Sequence, residues 1–368
     1  MASPGIVSFV DFTGTASTEE IEAVDRVFRS GQLILGNEVS LFESTWAERC
    51  GCNYAVGVGN GLDAIEIGLR SLGIGPGDEV ITTPMTAVAT VLGIVRAGGT
   101  PVLADIDPET ALMSLSSVDR CLTSRTKAVL LVHLYGQMRD LHEWKNYCET
   151  HGLALIEDCA QSHDAIDEGR VAGSWGEFGA FSFYPTKNLG AAGDAGALVT
   201  NGKDIAERAR SLRNYGQRSR YEHEFVGLNS RMDEVQAAIL RCRVEKLCEW
   251  TERRRQIASR YRNEIQSDYI RLLVEPRSLD NHVYHLFVVA SRERERLQRH
   301  LIDLGVETLI HYPIPIHEQS PFRSLTTDPI GLMNSEDHAR ECLSLPCRPN
   351  MSDSEVERVV EAVNTFRP

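Results

Sequence analysis

Short apolar runs that end in turn residues or polar groups recur along the chain from about residue 55 to residue 245. Segments with apolar residues at helical spacing lie between several of these runs, at residues 63–72, 88–97 and 141–150. Strands that alternate with helices form βαβ units, so the pattern predicts an α/β fold with a mostly parallel sheet covered on both faces. The seven predicted strands are residues 54–58, 79–83, 101–104, 128–134, 153–156, 180–183 and 196–199.

The pattern changes near residue 245. A long, charged, helix-forming stretch covers residues 245–262, and a strand candidate follows at 285–289. Two more helices are predicted at 294–304, ending at Gly305, and at 353–365. We therefore predict a large domain over residues 1–245 and a smaller C-terminal α+β domain over residues 246–368. The basic run 253–255 is interpreted as the solvent-facing side of its helix.

Charge and composition exclude several classes of protein. The 368 residues include 38 Lys and Arg against 52 Asp and Glu, a net charge of −14. Such an acidic chain repels phosphate backbones and anionic lipid, so neither a nucleic acid nor a membrane is expected as a partner. No run of 18 apolar residues is present, and the first twelve residues do not resemble a signal peptide. Nine scattered cysteines without a C-x-x-C spacing indicate reduced thiols, no metal site and a cytoplasmic location.

A glycine-rich turn joins the first predicted strand to the first predicted helix. Residues 57–62 read GVGNGL, so Leu62 breaks the dinucleotide pattern G-x-G-x-x-G. A strand-to-helix turn of this kind directs backbone N–H groups and the positive end of a helix at one point, which suits a phosphate. A tight turn without a ligand remains an equally good interpretation of these residues alone.

Two further residues that could take part in catalysis or ligand binding follow later strands. Asp158 lies where a buried strand ends, the position at which open α/β sheets bind ligands, although a helix cap or local salt bridge remains possible. Lys187 follows another apolar strand and, if partly desolvated, could condense with an aldehyde; an ordinary surface lysine is the alternative. Ser182, five residues earlier, is a candidate oxygen ligand.

The combination of these features indicates pyridoxal 5′-phosphate (PLP) more strongly than any one of them. Its phosphate needs N–H donors, its pyridine nitrogen needs an anion, and its aldehyde needs an amine. The glycine-rich turn, Asp158 and Lys187 supply these three groups in this order along the chain.

With these residues, the chain resembles the DegT/StrS family of PLP-dependent sugar aminotransferases, which have the type I fold of aspartate aminotransferase. The similarity extends from about Gly31 to about Cys347. It is carried by the motifs GNGLDA at 59–64, EDCAQSHDA at 157–165, FSFYPTKNLGA at 181–191, GLNSRMDEVQAAIL at 227–240 and HYPIP at 311–315.

The resemblance implies a role for each residue that matches a family motif. Lys187 is the lysine that condenses with the cofactor aldehyde, and Asp158 pairs with the pyridinium nitrogen. Gln161 contacts the ring or its phenolic oxygen. The phosphate is held by Asn60, Gly61, Leu62 and Ser182, with Asn229 reaching it from a neighbouring subunit, which implies a homodimer with shared active sites. Residues expected on the substrate side are Tyr184, His311, Tyr312 and His317.

The sequence departs from the family pattern at three places, of which one is the loop 193–196, GDAG, where a second glycine is commoner. Many members have an aromatic residue that stacks on the cofactor ring where this chain has Ala87. Either Met85 or another side chain covers that face, or the face is looser. Asp164 stands where glycine is usual.

The resemblance implies amino transfer from L-glutamate to a keto group of a nucleotide-linked sugar. Some relatives with histidine in place of Lys187 act as dehydratases, so the lysine favours transamination. The segments GNGLDA and NSRMDE resemble those of members that act on C-3 of dTDP-3-keto-6-deoxyhexoses, which implies that substrate here. The alternatives are a C-4 ketosugar, a cyclitol ketone, a non-catalytic regulator that binds PLP or a nucleotide sugar, and an NAD-dependent sugar oxidoreductase, against which the broken glycine pattern argues.

Overall fold

The computed structural model describes residues 5–12 and 16–368. Helices and strands alternate through the first two thirds of the chain. The helices are α1 (Thr18–Ser30), α2 (Asn37–Arg49), α3 (Gly61–Ser71), α4 (Val88–Ala97), α5 (Leu115–Cys121), α6 (Leu141–His151), α7 (Lys203–Leu212), α8 (Glu234–Val244), α9 (Leu247–Glu264), α10 (Arg294–Asp303), α11 (Met333–Glu341) and α12 (Asp353–Thr365).

The strands form one large sheet, one small sheet and two short hairpins. They are β1 (Tyr54–Val58), β2 (Glu79–Thr82), β3 (Thr100–Leu103), β4 (Thr126–Val132), β5 (Ala154–Asp158), β6 (Ile166–Asp167), β7 (Arg170–Val171), β8 (Phe178–Ser182), β9 (Gly196–Thr200), β10 (Gln217–Ser219), β11 (Glu222–His223), β12 (Arg271–Leu272), β13 (Phe287–Ala290), β14 (Thr326–Thr327) and β15 (Cys342–Leu345).

The large sheet has eight strands in the order β1-β9-β8-β5-β4-β2-β3-β14. Within it, β9 runs antiparallel to both of its neighbours, and every other pair of neighbours is parallel. The carboxyl ends of β1, β5 and β8 therefore meet at one edge of the sheet. This edge carries the glycine-rich turn, Asp158 and Ser182, so the topology brings the predicted site together.

Two apolar layers cover the large sheet, one on each face. Neighbouring residues of one strand point to opposite faces, so Val80 belongs to one layer and Ile81 to the other. Trp46 of α2 packs in the layer that contains Ile81, whereas Ile65 of α3 packs in the layer that contains Val80. The predicted α/β class, a mostly parallel sheet between helices, is confirmed.

The C-terminal part of the chain has a separate core around the antiparallel sheet β12-β13-β15. Helices α9, α10 and α12 contribute buried residues to this core. Two segments cross the predicted division at 245/246: Val7 bridges to Val306 beside the small sheet, and β14 joins the edge of the large sheet. The division itself stays a prediction.

Candidate active site

Asp158 is the last residue of β5. Its buried carboxylate accepts hydrogen bonds from Thr90 Oγ1 at 2.8 Å and from the backbone N–H of Ala160 at 3.1 Å. Thr90 lies in the first turn of α4 and shares a hydrogen bond of 2.6 Å with the hydroxyl of Thr86. Among the described residues, no cationic side chain lies within ion-pair distance of Asp158. A buried anion with only neutral partners can hold a protonated pyridine nitrogen.

Lys187 lies in a tight loop after β8, where its backbone N–H donates to the carbonyl of Tyr184 at 2.8 Å. Its side chain is half-buried. Burial lowers the pKa of Lys187 to about 8, and the Asp158 carboxylate opposes part of that change. The two groups thus interact through space without forming an ion pair. A partly desolvated amine of this kind is a nucleophile for an aldehyde.

The glycine-rich turn ends at the N-terminus of α3. Asn60 is the N-cap, and its side chain accepts a hydrogen bond from the backbone N–H of Asp63 at 2.9 Å. The N–H groups of Gly61 and Leu62 have no hydrogen-bond partner among the described residues, as is usual in a first helical turn. A Cβ at Gly61 would lie 2.7 Å from the Cβ of Ser182, so only glycine lets this turn approach Ser182 so closely. The turn and Ser182 form a cradle that fits a phosphate.

Gln161 connects the cofactor side of the site to the C-terminal part of the chain. Its Oε1 accepts from the backbone N–H of Tyr135 at 2.6 Å, and its Nε2 donates to the hydroxyl oxygen of Tyr312 at 3.1 Å. Burial and, to a smaller degree, Asp158 raise the pKa of Tyr312 to about 12. Tyr312 therefore remains a neutral phenol beside Asp158 at ordinary pH.

The face expected beside the cofactor ring has no aromatic cover from the segment before α4. Ala87 is half-buried and is the N-cap residue of α4. Met85 is fully buried in a cluster with Ile106 and Tyr135, so its side chain points into the core. Of the two explanations left open by the sequence, Met85 does not supply the missing cover.

A cleft of about 540 Å³ lies between the Lys187 loop, the N-terminal segment and the C-terminal part of the chain. Lys187 and His311 form part of its wall, whereas Asp158 lies outside its lining. His311 Nδ1 is 2.8 Å from Ser344 Oγ, and burial and then Lys187 lower the pKa of His311 to about 4. His311 is therefore neutral on the cleft wall, and its place on the substrate side stays a prediction.

Lys187 and His311 are the two predicted site residues in the wall of this cleft, and Tyr184, Asn229 and His317 are among those outside it. Tyr184 and Asn229 are exposed. His317 hydrogen-bonds through Nε2 with Glu336 at 3.3 Å and is not part of the cleft wall. The roles predicted for these three residues stay predictions.

Two residues of the site were absent from the sequence-based set. Thr90 lies in the first turn of α4, four residues after Thr86, which precedes the helix and shares a hydrogen bond with it. Arg254 corrects an expectation, because residues 253–255 do not all face solvent. Arg254 is 8% exposed and contributes to the cleft wall, whereas its neighbour Arg253 pairs with Asp353 at 2.8 Å.

Comparison with known proteins confirms the family resemblance. The sequence profile of the DegT/DnrJ/EryC1/StrS aminotransferase family matches residues 15–364. A dTDP-3-amino-3,6-dideoxy-alpha-D-galactopyranose transaminase from Aneurinibacillus thermoaerophilus is 46% identical over 347 residues, 94% of each chain. A pleiotropic regulatory protein from Geobacillus stearothermophilus is 41% identical over 350 residues, 95% of this chain and 94% of the relative.

Solved structures show the same fold. DesV from S. venezuelae, solved in complex with a ketimine intermediate, has a TM-score of 0.95 and 40% identity over 98% of both chains. NtdA from Bacillus subtilis, solved with bound cofactor PMP, has a TM-score of 0.89 and 29% identity over 98% of this chain and 85% of its own. In the described part of this chain, no helix combines the length and apolar composition that a membrane crossing needs.

Proposed function

The chain belongs to the DegT/DnrJ/EryC1/StrS aminotransferase family, and we propose that it transfers an amino group from L-glutamate to C-3 of a dTDP-linked 3-keto-6-deoxyhexose. Its cofactor is PLP, as in the family. The observation that carries the proposal is the relation of Lys187 to Asp158: an amine with a lowered pKa lies near a buried carboxylate but out of contact with it.

The site residues fit PLP at each of its three polar groups. The free N–H groups of Gly61 and Leu62, with Ser182 beside them, suit the phosphate. Asp158 has no cationic partner of its own among the described residues, so it can keep a pyridine nitrogen protonated. When bound, PLP supplies an aldehyde that takes up amines and a ring that accepts electrons from the adjacent carbon.

Lys187 is the residue that transfers protons in this proposal. Its Nζ is mostly neutral at a pH above about 8. Near that pH, removing or adding its proton costs little free energy. Such an amine can remove a proton from the donor Cα and return it at another carbon, as general base and then general acid. The fixed negative charge of Asp158 stabilises the positive charge on the ring nitrogen throughout.

The substrate assignment is supported by the Aneurinibacillus relative, a transaminase of a dTDP-3-amino-3,6-dideoxy sugar. A second candidate is a regulator, because the Geobacillus relative carries that name at 41% identity. Lys187 and Asp158 are both present, and the Asp158 carboxylate acts on the pKa of Lys187, so we favour the enzyme.

A homodimer with shared active sites is part of the proposal. Asn229 is exposed, and Ser230 next to it accepts a hydrogen bond from the N–H of Gly59 at 3.0 Å, so Asn229 lies on the surface beside the phosphate turn. Two exposed side chains lie close by in the sequence: Val88 directly follows Ala87, and Tyr184 lies two residues after Ser182. A second copy of the chain would cover these apolar groups and bring its own Asn229 to the site.

The test is amination of defined ketosugar nucleotides. Purified enzyme is incubated with L-glutamate and a panel of C-3 and C-4 ketosugar nucleotides, and products are identified by mass spectrometry and NMR. We expect an amino group at C-3. Amination of a 4-keto sugar beside an unchanged 3-keto sugar would contradict the C-3 assignment, and no amination of any member would favour the regulator.

A pair of lysine variants distinguishes the effect of losing the active-site amine from the effect of losing any lysine. Lys187→Ala should lose the visible absorbance of the lysine-bound cofactor and all turnover. Lys203→Ala removes an exposed lysine on α7 that pairs only with Glu207, and it should retain both properties. Equal sugar amination by wild type and Lys187→Ala would refute the assignment of Lys187.

A further inference from the structure

A buried arginine without a carboxylate partner forms part of the wall of the cleft that contains Lys187. Arg254 lies on α9, and its Nη1 donates to the backbone carbonyls of Tyr284 at 3.2 Å, His285 at 3.4 Å and Cys347. Its Nε is buried without a hydrogen-bond partner, and its Nη2 has none among the described residues. Burying a cation without an anion is unfavourable, so this arrangement indicates that a ligand supplies the anion.

The cleft around Arg254 is positively charged, although the whole chain has a net charge of −14. Two of its arginines already have carboxylate partners, since Arg243 pairs with Glu20 at 3.0 Å and Arg348 pairs with Glu355. Arg254 has no such partner within the described residues. A local positive site in an acidic protein concentrates small anions.

His285 links Arg254 to the reactive lysine. Its Nδ1 lies 3.2 Å from Oδ1 of Asn188, the residue after Lys187, and its own carbonyl oxygen accepts from Arg254. Burial and then Lys187 and Arg254 lower the pKa of His285, so both cations lie near one neutral ring. Lys187 and Arg254 both line the cleft, so a ligand in it is exposed to both cations.

We propose that Arg254 binds a carboxylate of the amino-acid donor while the donor amine reacts beside Lys187. The proposal rests on the proposed function, because it names the donor subsite of the same active site. Nε is enclosed by the protein, so Nη2, which has no hydrogen-bond partner among the described residues, is the nitrogen that can donate a charge-assisted hydrogen bond to a carboxylate oxygen in the cleft. The diphosphate of a nucleotide sugar is larger and more strongly hydrated, and the exposed Lys246 at the cleft suits it better than Arg254 does.

The donor half-reaction tests this proposal without any sugar. PLP-loaded enzyme is mixed with L-glutamate alone, and the change in cofactor absorbance gives the rate and the apparent Kd for glutamate. We expect Arg254→Gln to raise that Kd by about tenfold to a hundredfold, the usual effect of losing hydrogen bonds to a charged group. The sugar half-reaction, started from the aminated cofactor form, should change by less than about twofold. Arg254→Lys should recover part of the glutamate affinity.

Arg253→Gln is the matched control, because Arg253 is the neighbour of Arg254 on α9, lies outside the cleft wall and pairs with Asp353 at 2.8 Å. It should leave the Kd for glutamate within about twofold of wild type. If Arg254→Gln fails to fold, glutarate, a dicarboxylate without an amine, gives a second measurement on wild type and on Arg254→Lys. Glutarate should compete with glutamate, more weakly in the lysine variant.

Three results would overturn the donor subsite. An equal loss in both half-reactions with altered resting absorbance would make Arg254 structural. A loss of rate confined to the sugar half-reaction would indicate that Arg254 binds the diphosphate of the nucleotide sugar. Competition of glutarate with the nucleotide sugar, but not with glutamate, would indicate the same. Failure of the proposed function is distinct, since it would appear as an intact donor half-reaction without an aminated sugar.

Discussion

Replacing Asp164 tests how the chain keeps a charged residue at a backbone position that favours glycine. Asp164 has a φ of 63°, in the left-handed region. Its carboxylate accepts hydrogen bonds from Arg49, from Nε at 2.7 Å and also from Nη2. The ion pair raises the pKa of Arg49, and both side chains are mostly buried. We infer that the ion pair offsets the backbone strain.

The structure sets the expected size of each effect. The ion pair is partly screened by water, so we take its contribution as about 2 kcal/mol, near the lower end for charge-assisted hydrogen bonds. The left-handed conformation costs a residue with a Cβ roughly 1 kcal/mol. Asp164→Ala should therefore be destabilised by about 2 kcal/mol, because it loses the pair and keeps the strain. Asp164→Gly loses the pair but also the strain, so it should be destabilised by about 1 kcal/mol.

Urea unfolding followed by tryptophan fluorescence measures these differences as shifts of the midpoint at an unchanged slope. The double variant Arg49→Gln/Asp164→Ala completes a cycle, in which we expect a coupling free energy of about 2 kcal/mol. The reasoning is refuted if the glycine variant is no more stable than the alanine variant, since the backbone is then not strained. A coupling near zero would refute the role given to Arg49.

Three further predictions concern the buried carboxylates and the lysine. Glu157→Gln should destabilise the fold by about 3 kcal/mol or more in urea unfolding, because the buried carboxylate accepts from His133 at 2.9 Å and from three backbone N–H groups. Burial raises the pKa of Glu157 in the folded protein, but the hydrogen bond and the charge of His133 oppose it, and the pKa is lowered overall. The carboxylate therefore stabilises the fold above its unfolded pKa, and this stabilisation is lost as the pH falls through the folded pKa. The free energy of unfolding of the variant should depend less on pH in acid. The rate of PLP uptake by the apoenzyme should rise through a pKa of about 8 and then level off, as Lys187 loses its proton; a rate independent of pH from 6 to 10 would exclude Lys187 as the amine. Asp158→Asn should retain PLP but lose about a hundredfold in turnover, as happens when one electrostatic partner is removed, and equal turnover would contradict its role.

The large sheet could be predicted from the sequence because its strands are local signals. Each strand is a short run of apolar residues that the sheet buries on both faces, so all seven predicted runs coincide with strands of the structure. Helix α4 is likewise found at Val88–Ala97, as expected. In contrast, β14 has two residues, and its pairing with β3 depends on chain more than 200 residues away. No local pattern specifies such a strand.

The site residues also divide into those that a local sequence pattern indicates and those whose position depends on distant parts of the chain. Asp158 and Lys187 were found because each follows a buried strand, and strand ends are visible in the sequence. The cradle between Gly61 and Ser182 was also indicated, since both lie in family motifs. Met85 could not be placed, because its burial depends on Ile106 and Tyr135, which belong to other elements.

Arg254 shows why a charge pattern alone misleads. In the sequence it lies between two arginines on a helix rich in glutamate, which is typical of a solvent-facing surface. Its burial arises because the carbonyls of Tyr284, His285 and Cys347, from two distant segments, converge on its Nη1. Hydrogen bonds to carbonyls orient the guanidinium but leave its charge uncompensated. In the donor subsite that we propose, the position of Arg254 on the wall of the Lys187 cleft would link the fold of the C-terminal part of the chain to the choice of amino donor.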